Sequence, residues 1–159
     1  MPLSILIAED YQDLAITYRH SLEDRGHIVT TVRDGLECLR LYSESLKNKD
    51  GEMVSSYDVV ILDQQMPGMD GIDVAKEIQM ANPKQRIIFI TGYGEQVIKK
   101  LRGLSETVEF MNKPFSLQAL AIQVEGWSIY QWREMRKRGF KDWDGWSGTS
   151  VPVGPSRTG

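Results

Sequence analysis

The chain has 159 residues, a formal net charge of −3, and hydrophobic and charged fractions of 41% and 26%, values of a globular protein with room for one domain of about 100–150 residues and a short appendage. The slight acidity argues against nucleic-acid binding over the whole surface, and the single cysteine, Cys38, forbids an intrachain disulfide. No apolar stretch approaches the roughly 20 residues needed to span a bilayer and no charged-then-apolar leader opens the chain, so a reducing cytoplasm is the expected setting.

The first apolar, β-branched run, "SILIAED" (4–10), is closed by two acids. A helix is expected next, with Leu14, Tyr18 and Leu22 at helical spacing, and then a second strand in "GHIVTTV" (26–32). Leu36, Leu39 and Tyr42 mark the inward face of a second helix, on which Cys38 reads as a small apolar residue. The polar segment 45–57, "SLKNKDGEMVSSY", reads as an extended, mobile surface loop. "YDVVILD" (57–63) is a third strand, followed by a turn in which Met66, Pro67 and Gly68 serve as turn-formers. A third helix with Ile72, Ala75 and Ile78 inward follows it. "RIIFITG" (86–92) and "TVEFMNK" (107–113) are the fourth and fifth strands, separated by a short helix after Gly94 that carries Val97, Ile98 and Leu101. A fifth helix begins after the N-cap Ser116 and turns Leu117, Leu120, Ala121 and Val124 inward.

Regular alternation of near-continuous apolar strands with helices implies an α/β domain: a doubly wound, five-stranded parallel sheet with helices on both faces, joined by right-handed crossovers. Ligand sites in such sheets lie outside the carboxyl ends of the strands. With strand order 2-1-3-4-5, Glu9 and Asp10 after the first strand and Asp63 after the third converge on one crevice. Three like charges held together raise one another's pKa and repel unless a cation neutralises them. Oxygen ligands with no histidine or thiolate nearby suit Mg²⁺. Thr91 and Lys113 close the fourth and fifth strands, and a hydroxyl donor and a point positive charge beside a carboxylate are what an incoming phosphoryl group needs. Three carboxylates, one Mg²⁺ and one lysine balance in charge, so a phosphoryl group on Asp63 would unbalance the site and could be read as a signal.

"AED" at the first strand, "ILDQQMPGMDG" around Asp63, "ITGY" at the fourth strand and "FMNKPF" at the fifth together resemble the receiver domain of two-component response regulators, over residues 3 to about 126. The resemblance implies a CheY-like, flavodoxin-like domain over 1–126; the change of composition beyond it makes 127–159 a basic, tryptophan-containing helical extension and flexible tail. It implies that Asp63 accepts a phosphoryl group from a sensor histidine kinase or a histidine phosphotransfer protein. It also implies that Glu9, Asp10, Asp63 and the backbone carbonyl of Gln65 hold Mg²⁺, and that Thr91 and Lys113 contact the phosphoryl oxygens. Phe110 matches the aromatic that changes rotamer when Thr91 moves, though it also reads as a plain core aromatic. The Lys113–Pro114 bond is cis in this family. Gln65 and Tyr93 lie two positions after Asp63 and Thr91, where side chains in this family border the path of the hydrolytic water. The bulky Tyr93 is expected to slow loss of the phosphoryl group. Gln64, a third departure from the commonest pattern, receives no role.

Asp13 reads as a helix N-terminal acid favoured by the dipole, and His20 and His27 as surface residues. All four tryptophans (Trp127, Trp132, Trp143, Trp146) lie in the tail beside Arg133, Arg136, Lys137, Arg138 and Lys141. The expected function is a stand-alone receiver, a phosphoacceptor switch rather than an enzyme with turnover. It would assist its own phosphorylation and dephosphorylation and act on a downstream protein target, in or out of a homodimer. The alternative is a nucleic-acid-binding regulator that uses the basic and aromatic tail. A phosphatase using Asp63 as nucleophile, of the haloacid-dehalogenase type, would need a second aspartate where Gln65 stands.

Overall fold

The computed structural model describes residues 2–92 and 108–126. Its elements in chain order are β1 (Ser4–Ala8), α1 (Gln12–Glu23), β2 (Ile28–Val32), α2 (Gly35–Ser45), β3 (Lys47–Lys49), β4 (Glu52–Val54), β5 (Val59–Asp63), α3 (Gly71–Ala81), β6 (Arg86–Thr91) and β7 (Val108–Asn112). Residues 117–126 are helical and are called α4. Two units are divided between Phe115 and Ser116. The expected helix after Gly94 and the expected tail lie outside the described residues. Among those described, no helix is long and apolar enough to cross a membrane.

Five parallel strands form one sheet in the order β2-β1-β5-β6-β7. This is the expected 2-1-3-4-5 order once a small hairpin, β3–β4, is counted. Strands β1, β5 and β6 are buried almost throughout because each has a strand on either side and helices above and below. Side chains alternate between the faces. Leu6, Ala8, Val60, Leu62, Ile87 and Phe89 pack with Cys38 and Tyr42 of α2 and with Ile72, Ala75 and Ile78 of α3. Ile5, Ile7, Ile61, Ile88 and Ile90 are buried on the opposite face. Right-handed crossovers leave β1 in one direction for β2 and return in the other for β5, which puts α1 on the face opposite α2 and α3.

Segment 45–57 is not the mobile loop expected from its polarity. It is an antiparallel hairpin pairing Lys47 with Val54 and Lys49 with Glu52. The two residues at its tip, Asp50 and Gly51, both have positive φ (53° and 88°), which a two-residue hairpin turn requires and an Asp-Gly pair supplies readily. Asn48 Oδ1 accepts from the Gly51 N–H at 3.0 Å, and the Ser45 and Ser55 hydroxyls meet at 2.8 Å at its base. Both strands are exposed throughout, so no apolar alternation marks them in the sequence.

Two inward assignments and one outward one also need correction. Leu36 is 64% exposed. Asp34 caps α2 by accepting from the Glu37 N–H, and the helix then buries Gly35, Cys38 and Tyr42. Both sets have near-helical spacing and share Tyr42, and Leu39 packs against the core from its edge, so Leu36 alone of the expected set faces outward. Leu117, in the first turn of α4, is exposed, whereas Leu120, Ala121 and Val124 are buried. His27, expected at the surface, is buried and its Nδ1 accepts the Leu3 N–H at 3.0 Å. Asp13 does lie in the first turn of α1, and Ser116 caps α4 by accepting the Ala119 N–H at 3.0 Å.

Candidate functional site

The carboxyl ends of β1, β5, β6 and β7 carry the polar residues that the sequence singles out. Backbone pairing continues just past the strands and fixes them. The Glu9 N–H donates to Val32 O (3.0 Å), the Gln64 N–H to Ile90 O (3.1 Å) and the Lys113 N–H to Thr91 O (2.9 Å). The chain leaving Asp63 passes directly over α3: a Cβ on Gly71 would lie 2.4 Å from Asp63 O, so only glycine permits this approach. Met66, Pro67 and Gly68 make the intervening turn, with Gly68 at φ 82°.

Glu9, Asp10 and Asp63 each offer a carboxylate oxygen, and these oxygens lie within 4.8 Å of one another. Glu9 and Asp63 are buried and Asp10 is exposed. Lys113 Nζ approaches Asp63 Oδ1 at 3.3 Å and Glu9 Oε1 at 3.9 Å. Burial and the neighbouring Asp63 push the Glu9 carboxyl up from 4.5 to about 8, against the pull of Lys113. Glu9 Oε2 is buried and has no hydrogen-bond partner among the described residues. An unsatisfied buried carboxylate oxygen amid hard oxygen donors, with a single lysine as counter-charge, fits a divalent cation such as Mg²⁺.

Glu9, Asp10, Asp63, Gln64, Gln65 and Lys113 border a cavity of about 350 Å³. Tyr11 and Leu14 join its wall, which the sequence did not suggest. Gln65 is exposed at the rim. Thr91 is 1% exposed and its hydroxyl donates to Gln64 Oε1. Gln64, a departure from the commonest pattern with no role assigned from the sequence, is thus the partner of Thr91. The signal was present in the strand register, because Asp63 pairs with Ile90 and the next residue therefore stands beside Thr91. Phe110 is half-buried and its ring lies 6.3 Å from that of Phe89, on the core side of the sheet. The Lys113–Pro114 peptide is cis. Tyr93 and the basic, tryptophan-containing tail lie outside the described residues.

A doubly wound parallel sheet with an acidic cluster, a threonine and a lysine at its carboxyl edge is the architecture of receiver-type domains, and comparison with known proteins places the chain among them. Residues 5–125 match the response regulator receiver domain, and the chain belongs to that family. It is 30% identical over 122 residues to the sensor kinase CckA of Brucella abortus (strain 2308), a match covering 77% of this chain and 12% of the kinase. Over 144 residues it is 30% identical to the uncharacterized transcriptional regulatory protein YrkP of Bacillus subtilis (strain 168), covering 88% of this chain and 57% of that protein. The chain thus spans little more than half of one relative and a small part of the other. Among solved structures, the response regulator TrrA of Thermotoga maritima, in complex with Mg²⁺ and BeF, has 27% identity and a TM-score of 0.64, over 79% of this chain and 98% of TrrA.

Proposed function

We propose that this receiver domain accepts a phosphoryl group on Asp63 from a phosphohistidine of a sensor histidine kinase or a histidine phosphotransfer protein. The observation that carries the reading is the convergence of Lys113 Nζ, 3.3 Å from Asp63 Oδ1, with three carboxylates at the mouth of a cavity open to a donor. An Asp63 oxygen attacks phosphorus, the P–N bond breaks, and the electron pair leaves with the imidazole. Lys113 is placed to balance charge on the transferred group, and Thr91 has a hydroxyl to offer one of its oxygens. Glu9, Asp10, Asp63 and the Gln65 carbonyl would hold Mg²⁺, as the TrrA complex contains it. When bound, the ion supplies positive charge that offsets the crowded carboxylates and the incoming phosphoryl group.

The acyl phosphate leaves the carboxyl edge more negative, and a downstream protein reads the resulting change in surface. Phe110, packed beside Phe89, is the aromatic that would follow Thr91. The chain therefore works as a switch in a cytoplasmic phosphorelay, not as an enzyme with turnover on external substrates. Incubation with acetyl phosphate or phosphoramidate and Mg²⁺, followed by intact mass measurement, should give one phosphoryl adduct that Asp63→Asn abolishes. No adduct under conditions that modify a control receiver would overturn the reading.

A further inference from the structure

We infer that Gln64 is a positioning residue: its side-chain carboxamide holds the Thr91 hydroxyl until an anionic group on Asp63 competes for it. This rests on the phosphoryl-acceptor reading of Asp63 and adds to it a residue that sets how readily the site responds.

The Gln64 backbone is held on both sides, its N–H donating to Ile90 O at 3.1 Å and its carbonyl accepting the Gly71 N–H at 3.0 Å. Its half-buried side chain therefore starts from a fixed point beside Thr91, and Oε1 accepts the Thr91 hydroxyl proton. A threonine hydroxyl has a single proton to give. Phosphoryl oxygens are ionised acceptors, and hydrogen bonds to them are roughly twice as strong as bonds between neutral partners. Once Asp63 is modified, the hydroxyl moves from the neutral carboxamide to the anion. The carboxamide thus opposes the first step of the response. An apolar side chain at position 64 removes this acceptor from the competition and lowers the cost of turning the hydroxyl to the anion.

Beryllofluoride with Mg²⁺, a stand-in for the phosphoryl group, titrated calorimetrically into the full chain reads this competition without a kinase. Gln64→Met, close in length to glutamine, should bind it roughly three- to tenfold more tightly than wild type, the range expected for loss of one net hydrogen bond. Gln64→Ala should change affinity in the same direction and serves as a second variant should the first misfold. In a Thr91→Val background, where no hydroxyl remains, the gain from Gln64→Met should vanish. A purely structural role for Gln64 would leave that gain in place. Unchanged affinity in the folded Gln64 variants, or an equal gain with and without the Thr91 hydroxyl, overturns the inference while the Asp63 reading stands. Wild type that takes up neither beryllofluoride nor a phosphoryl group removes the Asp63 reading and this one with it.

Discussion

The two ends of the same strands treat polar residues in opposite ways. At the amino ends, Arg86 is 4% exposed and makes a paired contact with Glu109 through Nε and Nη2. Tyr42 Oη donates to Gln85 Oε1 at 2.7 Å, and Gln85 Nε2 donates in turn to the carbonyls of Tyr57 and Arg86. Asp58 Oδ2 accepts the Ser4 N–H at 2.7 Å. At the carboxyl ends, three carboxylates share one nearby lysine, and Glu9 Oε2 is buried without a hydrogen-bond partner among the described residues. One end uses its polar groups to stabilise the sheet. The other keeps a strained electrostatic arrangement that a cation can relieve, which is the usual cost of a functional site.

If this contrast is right, breaking the amino-end pairs should cost stability and leave the chemistry intact. Glu109→Ala takes the paired carboxylate from the buried Arg86 guanidinium; losing one member of a fully buried pair costs about 3–5 kcal/mol, and because Glu109 is partly exposed the loss should lie toward the lower end of that range. That should be the largest effect among these substitutions, measured by urea unfolding, with the Asp63 adduct still forming in the folded fraction. A loss below about 1 kcal/mol would mean that the pair behaves like an exposed one. A smaller effect is expected for Tyr42→Phe, which removes the hydroxyl serving buried Gln85 Oε1. Leaving such an acceptor without its donor costs about 1–3 kcal/mol. Equal stability of Tyr42→Phe and wild type would show that the Gln85 carboxamide is satisfied without Tyr42.

The carboxyl end was the more legible of the two in the sequence. Glu9, Asp10, Asp63, Thr91 and Lys113 each interrupt or close an apolar run, and charge at the end of a buried strand stands out by its desolvation cost alone. Strand order then follows from alternation and crossover handedness, and it brings these residues together. The amino-end network left no such mark, because Tyr42 lies far along the chain from Gln85 and Arg86 and each is ordinary in its local setting. Gln64 escaped notice for a related reason: its role depends on which residue of β6 stands beside it, which is a matter of register. The hairpin was missed because both its strands are exposed, so no apolar face marks the period of two. His27 and Leu36 show the limit of residue type and spacing, since the first is buried with its ring accepting the Leu3 N–H and the second lies outward on a helix capped by Asp34.

The remaining prediction concerns the carboxyl end itself, where pH and Mg²⁺ should trade places. Glu9 is raised in the folded protein from 4.5 to about 8 by burial and by Asp63. Between those values the unfolded chain has released this proton while the folded chain retains it. Folding is therefore favoured at the acid side of the window, and stability falls as pH rises through it. With EDTA present, the urea midpoint should decline from pH 5.5 to pH 8.5, and Glu9→Gln should flatten that decline. Mg²⁺ binds the ionised carboxylates, so its stabilising effect should grow over the same range and be greatest where the metal-free protein is weakest. An identical pH slope for wild type and Glu9→Gln in EDTA would show that Glu9 is not where the strain resides. An increase in stability from Mg²⁺ that is independent of pH would show that the ion binds without displacing that proton.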